Sequence, residues 1–146
     1  MTPQDRAERS AREMLHGDTA SQTLGMTITE IAPGQATLTM PVNDTMLNGH
    51  GICHGGYIFT LADSAFAFAC NTYNQRTVAQ QNQITYLAPG QPNDTLTARA
   101  VEVSRTGRSG IYDVTVTASD GTTLALFRGL SRTIKGQIFP EEEGTT

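Results

Sequence analysis

Residues 47–73 read LNGHGICHGGYIFTLADSAFAFACNTY, a glycine-rich loop followed by a segment that is apolar on almost every face. The apolar segment, from about residue 56 to residue 73, has the length of a long helix and the composition of a buried one. It holds one carboxylate, Asp63, and no basic residue lies one or two turns away to pair with it. Taking an unpaired carboxylate out of water costs free energy or raises its pKa. Asp63 is therefore the first candidate for a functional residue.

Segments of alternating apolar and polar residues flank this helix and predict β-strands. The predicted strands cover residues 26–31, 35–42, 77–87, 95–104, 111–119 and 123–134. A short amphipathic helix is expected over residues 3–15. Because no second long helix is available for parallel crossovers, the predicted fold is α+β, with an antiparallel sheet of five to six strands wrapped around the long helix. The helix would bury in that sheet Phe59, Leu61, Ala62, Ala65, Phe66, Phe68, Ala69 and Tyr73.

Length and composition indicate one globular domain. The chain has 146 residues, of which 38% are hydrophobic and 16% charged, and no apolar run is long enough to span a bilayer. We expect a helical arm over residues 1–19, a globular domain over residues 20–138 and a disordered acidic tail over residues 139–146. The N-terminus lacks the apolar stretch of a signal peptide, which predicts a cytoplasmic protein. Cys53 and Cys70 are expected to be free thiols.

The charge of the chain restricts its partners. The net charge of −4 argues against a general affinity for nucleic acid or for an anionic membrane. Residues 105–135 nevertheless carry five basic residues and only two acidic ones, a local balance of +3. This stretch is interpreted either as solvated strand ends or as a small patch for a phosphorylated ligand. Its basic residues are Arg105, Arg108, Arg128, Arg132 and Lys135.

The glycine-rich loop suits a ligand at the start of the long helix. Gly51, Gly55 and Gly56 surround Cys53 and His54, and glycines let a backbone approach a ligand closely. The first helical turn also offers free N–H groups and the positive end of the helix dipole. Such a site stabilises an oxyanion.

The spacing of this loop from Asp63 predicts a dimer. Asp63 follows Gly55 by eight residues, which corresponds to about 12 Å along a helix axis. One small reacting group cannot touch both positions of the same chain. If Gly55 holds a developing oxyanion while Asp63 handles the attacking water, the two residues belong to different chains. Antiparallel helices across a two-fold axis would then give two composite sites.

Other chemistry is conceivable for the same loop. His50 and His54 have a helical metal-ligand spacing, but the glycines make this segment a loop and no further ligand has convincing spacing. Cys53 beside His54 suggests a thiol nucleophile, yet adjacent residues point apart and a third orienting group is missing. The glycines do not match a nucleotide-phosphate loop. His54 either holds the loop by hydrogen bonds or contacts a substrate directly.

A set of residues spread over the chain carries a family resemblance. The set comprises Asn48, His54-Gly55-Gly56, Leu61-Ala62-Asp63 and the stretches ITYLAPG (84–90) and ALFRG (125–129). From about residue 20 to residue 138, the chain resembles hotdog-fold acyl-CoA thioesterases, specifically their phenylacetate-degradation PaaI-like branch. The resemblance implies a sheet wrapped around one helix, dimers or dimers of dimers, and thioester hydrolysis without metal or bound cofactor.

The resemblance also implies roles for the matching positions. Gly55 would donate its N–H to the thioester oxygen, and Asn48 would polarise or position the same group. Asp63 of the partner chain would act on water or on the carbonyl. Some relatives place a serine on the strand after the helix to hold the water, and this chain departs from them. Its nearest position is Ala79, followed by two glutamines.

The expected substrate is an acyl-CoA. The turn at residues 105–109 offers guanidinium groups, a hydroxyl and backbone N–H groups to the coenzyme phosphates, through Arg105, Gly107, Arg108 and Ser109. Tyr86 and Pro89 are expected to flank the pantetheine path. The acyl pocket would lie near Asp63, lined by Leu47, Phe66 and neighbouring helix residues of both chains, and would take an aromatic acyl group such as phenylacetyl or a hydroxylated form of it. Gly56 is also expected to contact the substrate.

Two other functions fit parts of this pattern. A non-catalytic hotdog protein would bind acyl-CoA as a sensor or carrier. A hotdog dehydratase would need a catalytic histidine with an acid on the central helix, and the predicted helix has no histidine. An assay for thiol release from a panel of acyl-CoAs separates the hydrolase from the binding protein.

Overall fold

The computed structural model of the chain describes residues 1–142. It contains three α-helices and six strands within those residues. The helices are α1 (Pro3–Gly17), α2 (Thr19–Thr23) and α3 (Gly55–Cys70). The strands are β1 (Thr27–Ala32), β2 (Gln35–Pro41), β3 (Thr77–Tyr86), β4 (Thr95–Thr106), β5 (Ser109–Thr117) and β6 (Thr123–Thr133).

The six strands form one antiparallel sheet in the order β1-β2-β4-β5-β6-β3. Helix α3 packs across the sheet and contacts β2, β3, β4, β5 and β6. This arrangement confirms the predicted α+β architecture with one long helix inside a curved antiparallel sheet. The predicted strand limits are correct to within a few residues. Strands β1 and β3 lie at the two edges, so the second edge of β3 has no partner strand among the described residues.

The core lies between α3 and the strands. Leu61, Phe66 and Phe68 are buried on the helix. The ring of Phe66 contacts Tyr112 and Phe127 in edge-on or tilted geometry, at centroid distances of 5.6 and 5.9 Å. A Cβ atom at Gly129 would lie 2.6 Å from the Phe66 ring, so the strand passes directly over that ring.

Two residues predicted to be core residues are only half-buried. Phe59 packs its edge against Phe127 at a centroid distance of 5.6 Å but retains exposed surface. Tyr73 lies beyond the end of α3, which stops at Cys70, and its hydroxyl donates a hydrogen bond of 2.9 Å to Glu102. The helix ends before the predicted limit at residue 73 because Asn71 forms its C-cap. The side-chain amide of Asn71 donates to the backbone carbonyls of Ala67 and Thr77.

A short helix that the sequence did not predict joins α1 to the sheet. The carboxylate of Asp18 caps α2 by accepting from the backbone N–H of Ser21 at 2.9 Å, and it also accepts from the Ser21 hydroxyl at 2.6 Å. Ser64 on α3 contacts the same hydroxyl at 2.9 Å. Because the Ser21 proton is used on Asp18, Ser64 is the donor in that contact. This chain of polar groups fixes α2 against the central helix.

The predicted tail is anchored over its first residues. Phe139 is 3% exposed, and the guanidinium of Arg9 lies 4.3 Å from the centre of its ring. The carboxylate of Glu141 pairs with Arg6 at 2.8 Å and accepts from the Asn74 side chain at 3.1 Å. The prediction of disorder from residue 139 onward is therefore wrong as far as Glu141. Residues 143–146 of that prediction lie outside the described residues. Within those residues, no helix combines the length and apolar character needed to cross a bilayer.

Candidate active site

The loop before α3 is organised around Asn48. Its side-chain oxygen accepts hydrogen bonds from the backbone N–H groups of His50, at 2.9 Å, and Ile52, at 3.3 Å. Gly51 closes this turn with a φ of 75°, which L side chains rarely adopt. These contacts occupy the amide oxygen of Asn48. Its amide nitrogen donates to no acceptor among the described residues and remains available to a ligand.

His54 caps the central helix. Its Nδ1 accepts a hydrogen bond of 2.9 Å from the N–H of Gly56, so the neutral ring carries its proton on Nε2. The His54 backbone also donates to the carbonyl of Met46 at 2.8 Å. Of the two roles considered for His54, the geometry supports holding the loop. Because Gly56 is engaged by the cap, the N–H of Gly55 is the first helical amide without an acceptor in the described chain.

Tyr86 lies directly against the start of α3. Its hydroxyl donates a hydrogen bond of 2.9 Å to the carbonyl of Gly55. A Cβ atom at Gly55 would lie 3.1 Å from the ring, which explains why a glycine fits here. Tyr86 is 49% exposed, and Pro89 follows it at the surface. The structure therefore brings Tyr86, one of the predicted substrate-contacting residues, beside the predicted oxyanion donor.

Asp63 lies in the middle of α3 and is half-buried. Its Oδ1 accepts a hydrogen bond of 2.9 Å from Nδ2 of Asn82, a residue of β3. Burial raises the pKa of the Asp63 carboxyl above its ordinary value, and the hydrogen bond from Asn82 partly offsets that rise. The predicted charge inside an apolar helix is thus present, with an amide instead of a cation as its partner.

One face of helix α3 is partly exposed, and a stripe of four residues runs along the middle of that face. Gly56, Thr60, Asp63 and Ala67 are spaced three or four residues apart, so they lie on one helical face. Three of them are small and let another backbone approach closely. The stripe carries the carboxylate of Asp63, and Asn82 on the edge strand β3 contacts that carboxylate.

The predicted phosphate-binding turn lies at the other end of the helix. The guanidinium of Arg105 stacks 3.5 Å from the ring centre of Tyr73, just beyond the C-terminus of α3. Gly55 and Cys70 are the first and last of the 16 residues of α3, so they are about 22 Å apart along the axis. A single chain therefore does not bring Arg105, Gly107, Arg108 and Ser109 to the glycine loop. Arg128, counted in the basic stretch, pairs with Asp113 at 2.7 Å instead.

Two lining residues of the predicted acyl pocket have different surroundings. Leu47 is half-buried and forms an isolated β-bridge with Cys53, so it lies at the loop as expected. Phe66 is 0% exposed and is enclosed by the strands. The prediction that Phe66 lines the acyl pocket is wrong, because no surface of its ring is open to a ligand.

Asn82 was not identified from the sequence. It follows Ala79, the position nearest to the water-positioning serine of some relatives, and the two glutamines after it, and it is the first residue beyond them that points inward. The sequence feature that could have identified Asn82 is a polar residue at an inward-facing position of a strand. A β-bulge between Ala79 and Gln81 concealed that position, because it changes which residues of β3 face the helix.

Comparisons with known proteins show the family to which this fold belongs. The family model of the thioesterase superfamily matches residues 50–125. The acyl-coenzyme A thioesterase PaaI of Escherichia coli (strain K12) is 42% identical over 136 residues, covering 93% of this chain and 97% of that protein. The solved structure of the E. coli PaaI protein from the phenylacetic acid degradation operon matches with a TM-score of 0.92 at 40% identity, covering 93% of this chain and 99% of that one.

A more distant relative was solved with coenzyme A. It is a hypothetical thioesterase protein from Streptococcus pneumoniae TIGR4, which matches with a TM-score of 0.79 at 27% identity and covers 86% of this chain and 97% of its own. The matched family region includes Gly55, Asp63 and Asn82. From the fold, the helix-borne carboxylate and these matches together, the chain belongs to the thioesterase superfamily.

Proposed function

We propose that the protein hydrolyses the thioester bond of acyl-CoA to give a free acid and coenzyme A. The observation that carries this proposal is the half-buried carboxylate of Asp63, displayed on the exposed stripe of the central helix. Its raised pKa makes the carboxylate a stronger base than a solvated aspartate. The E. coli relative that is 42% identical is named as an acyl-coenzyme A thioesterase, which supports the same reaction here.

In the proposed mechanism, Asp63 acts as a general base. It takes a proton from water while the water oxygen forms a bond to the thioester carbon, and the carbonyl electron pair moves onto the oxygen. When that pair re-forms the carbonyl, the carbon–sulfur bond breaks and the thiolate takes the proton from Asp63. Direct attack by the Asp63 carboxylate is the competing route. A single turnover in ¹⁸O-water that labels the protein would identify direct attack, because general-base catalysis places the water oxygen only in the released acid.

The proposed oxyanion site is the start of α3. The free N–H of Gly55 and the free side-chain amide of Asn48 are both donors that a carbonyl oxygen can use as charge develops on it. His54 acts on this site indirectly, because its ring caps Gly56 and fixes the first turn. We assign Tyr86 and Pro89 to the pantetheine arm, and the contact of Tyr86 with Gly55 supports this assignment.

The proposed active unit is a dimer with two composite sites. Gly55 and Asp63 of one chain are about 12 Å apart along the helix, too far to serve one carbonyl. A two-fold axis crossing a pair of antiparallel α3 helices near Phe59 would oppose Gly55 of one chain to Asp63 of the other. The stripe of small residues on α3 and the unpaired edge of β3 support this pairing. A dimer of dimers is the larger assembly we propose from the family resemblance.

The same pairing accounts for the position of the basic turn. In an antiparallel pair, the C-terminal end of one helix lies beyond the N-terminal loop of the other. Arg105, Arg108 and Ser109 would then approach the partner chain's glycine loop and meet the phosphates of a coenzyme bound there. Both arginines are exposed, but the guanidinium of Arg105 is held over the ring of Tyr73. We therefore assign the main phosphate contact to Arg108.

The proposed acyl group is aromatic, of the phenylacetyl or hydroxyphenylacetyl type. The E. coli protein with the TM-score of 0.92 is described as coming from the phenylacetic acid degradation operon, which supports this choice. Leu47 directly precedes Asn48 in the glycine loop, and its half-buried apolar side chain supports an apolar wall at that point.

The proposed location is the cytoplasm. Cys53 and Cys70 are free and buried, which fits a reducing compartment and supports this location.

The test is a panel of acyl-CoA thioesters assayed with a thiol-detecting reagent. The panel includes phenylacetyl-CoA, hydroxyphenylacetyl-CoA, a medium-chain acyl-CoA and acetyl-CoA. We expect thiol release with the highest kcat/KM for the aromatic substrates. Saturable binding of the same compounds without thiol release would overturn the hydrolase assignment and identify an acyl-CoA-binding protein.

A further inference from the structure

Asn82 is the polar side chain in contact with the carboxylate on which the proposed reaction depends. It lies on β3 and reaches Asp63 on α3 across the gap between strand and helix, with a distance of 2.9 Å from Nδ2 to Oδ1. The contact identifies the orientation of the amide, because a carboxylate oxygen accepts from the NH₂ group and not from the carbonyl. The amide oxygen of Asn82 must then point away from Oδ1 of Asp63.

The amide oxygen of Asn82 is itself buried. Among the described residues it has no hydrogen-bond donor, and only one other buried side-chain atom, the hydroxyl of Ser10, shares that condition. A buried carbonyl without a donor costs free energy, so such atoms are rare and call for an explanation. The Ser10 hydroxyl lies on α1, away from the site, whereas the Asn82 oxygen lies within one amide group of the catalytic carboxylate.

We propose that Asn82 is a positioning residue for the hydrolytic water: Nδ2 fixes the Asp63 carboxylate, and Oδ1 accepts one O–H of the water that Asp63 deprotonates. This inference rests on the proposed hydrolase function. The water would donate one hydrogen to Asn82 and the other to the free oxygen of Asp63, which directs its lone pair toward the thioester carbon. Asn82 thereby takes the role that the sequence left open at Ala79, Gln80 and Gln81.

The second effect of Asn82 is on the ionisation of Asp63. A donor to the charged form favours the carboxylate, so Asn82 opposes the rise in pKa that burial causes. From its own helix, Asp63 is also coupled to Cys70, but burial raises the pKa of that thiol to about 12, far above the titration of a carboxyl group. The N-terminus of the partner helix in the proposed dimer acts equally on the wild type and on variants at Asn82. A change in pH dependence on replacing Asn82 is therefore attributable to the lost donor.

The experiment compares Asn82→Ala and Asn82→Leu with the wild type and with Gln83→Ala. Gln83 is the next residue of β3 and lies on the opposite face of the sheet, so it controls for changes in the strand itself. We expect kcat on phenylacetyl-CoA to fall by about tenfold to a hundredfold in both Asn82 variants, with KM nearly unchanged. The acid limb of the kcat profile should move to higher pH. Gln83→Ala should retain wild-type kcat and pH dependence.

The pH profile separates positioning from a merely structural role. A destabilised but otherwise normal site would lose activity without moving the acid limb, and that result would overturn the proposal. A ¹³C NMR titration of the Asp63 carboxyl reports its pKa without turnover. This pKa should be higher than in the wild type in each Asn82 variant that circular dichroism shows to be folded. Unchanged kcat in a folded Asn82 variant would refute this inference alone. No hydrolysis of any acyl-CoA by the wild type would refute the proposed function as well.

Discussion

The requirement for two chains in each site gives a stringent test of the proposed geometry. Gly55 and Asp63 of one chain are separated by about 12 Å along α3, whereas reacting atoms must approach within about 3–3.5 Å. Gly55→Val should prevent the thioester oxygen from reaching the N–H of residue 55, because even a Cβ atom at this position would lie 3.1 Å from the Tyr86 ring. Asp63→Ala should remove the base. Each variant alone is expected to be inactive, and together they should restore activity.

The size of the restored activity follows from the symmetry of the dimer. If equal amounts of the two variants pair at random, about half of the dimers are mixed and each mixed dimer has one intact site of two. The mixture should therefore show about a quarter of the wild-type activity per chain. The two variants are co-expressed with different affinity tags and assayed for thiol release, first as the mixture and then as the isolated doubly tagged dimer, which should show about half of the wild-type activity per chain.

The controls identify a failure to fold. Gly49→Ala, in the same loop, places its Cβ in open space and should leave activity unchanged. Circular dichroism of Gly55→Val alone shows whether that variant is folded. If folded mixed dimers form and remain inactive, both groups act within one chain, and the composite site is refuted.

Two further predictions concern the coenzyme and the anchored tail. Arg108→Ala should raise KM for acyl-CoA, and the increase should be larger at low salt. Hydrolysis of a thioester that lacks the nucleotide should stay unchanged, and equal losses on both substrates would refute a phosphate contact. Arg6 and Asn74 hold the pKa of Glu141 at about 2, below its ordinary 4.5, so the ion pair stabilises the fold above pH 4.5 and this stabilisation is lost as pH falls toward 2. Arg6→Ala should therefore lower the free energy of unfolding by about 1 kcal/mol or less at pH 7 and by clearly less at pH 2. An equal loss at both pH values in urea unfolding would contradict this.

Much of the fold was predictable because burial alternates along its strands. In β5, for example, Tyr112, Val114 and Val116 are buried while the residues between them are more exposed, and the sequence alternates accordingly. Asp63 was predictable for the opposite reason, since it interrupts an apolar helix. The local sequence pattern was therefore sufficient to predict features that depend only on neighbouring residues.

The features that the sequence did not predict depend on register or on distant contacts. The bulge after Ala79 shifts the inward-facing positions of β3, so counting alternate residues from Ala79 places Asn82 on the wrong face. The order of the first tail residues depends on Glu141 meeting Arg6, 135 residues earlier in the chain. An acidic tail composition contains no sign of that contact.

The central claim is that Asp63 performs the chemistry of acyl-CoA hydrolysis, and the most direct measurement is kcat of Asp63→Asn on phenylacetyl-CoA. The replacement keeps the side-chain volume and removes the base, so kcat should fall by about 10²–10⁴-fold while circular dichroism stays unchanged. Asp44→Asn, which neutralises an exposed carboxylate before the glycine loop, should retain wild-type kcat. Wild-type turnover by Asp63→Asn would contradict the assignment of Asp63 as the catalytic group.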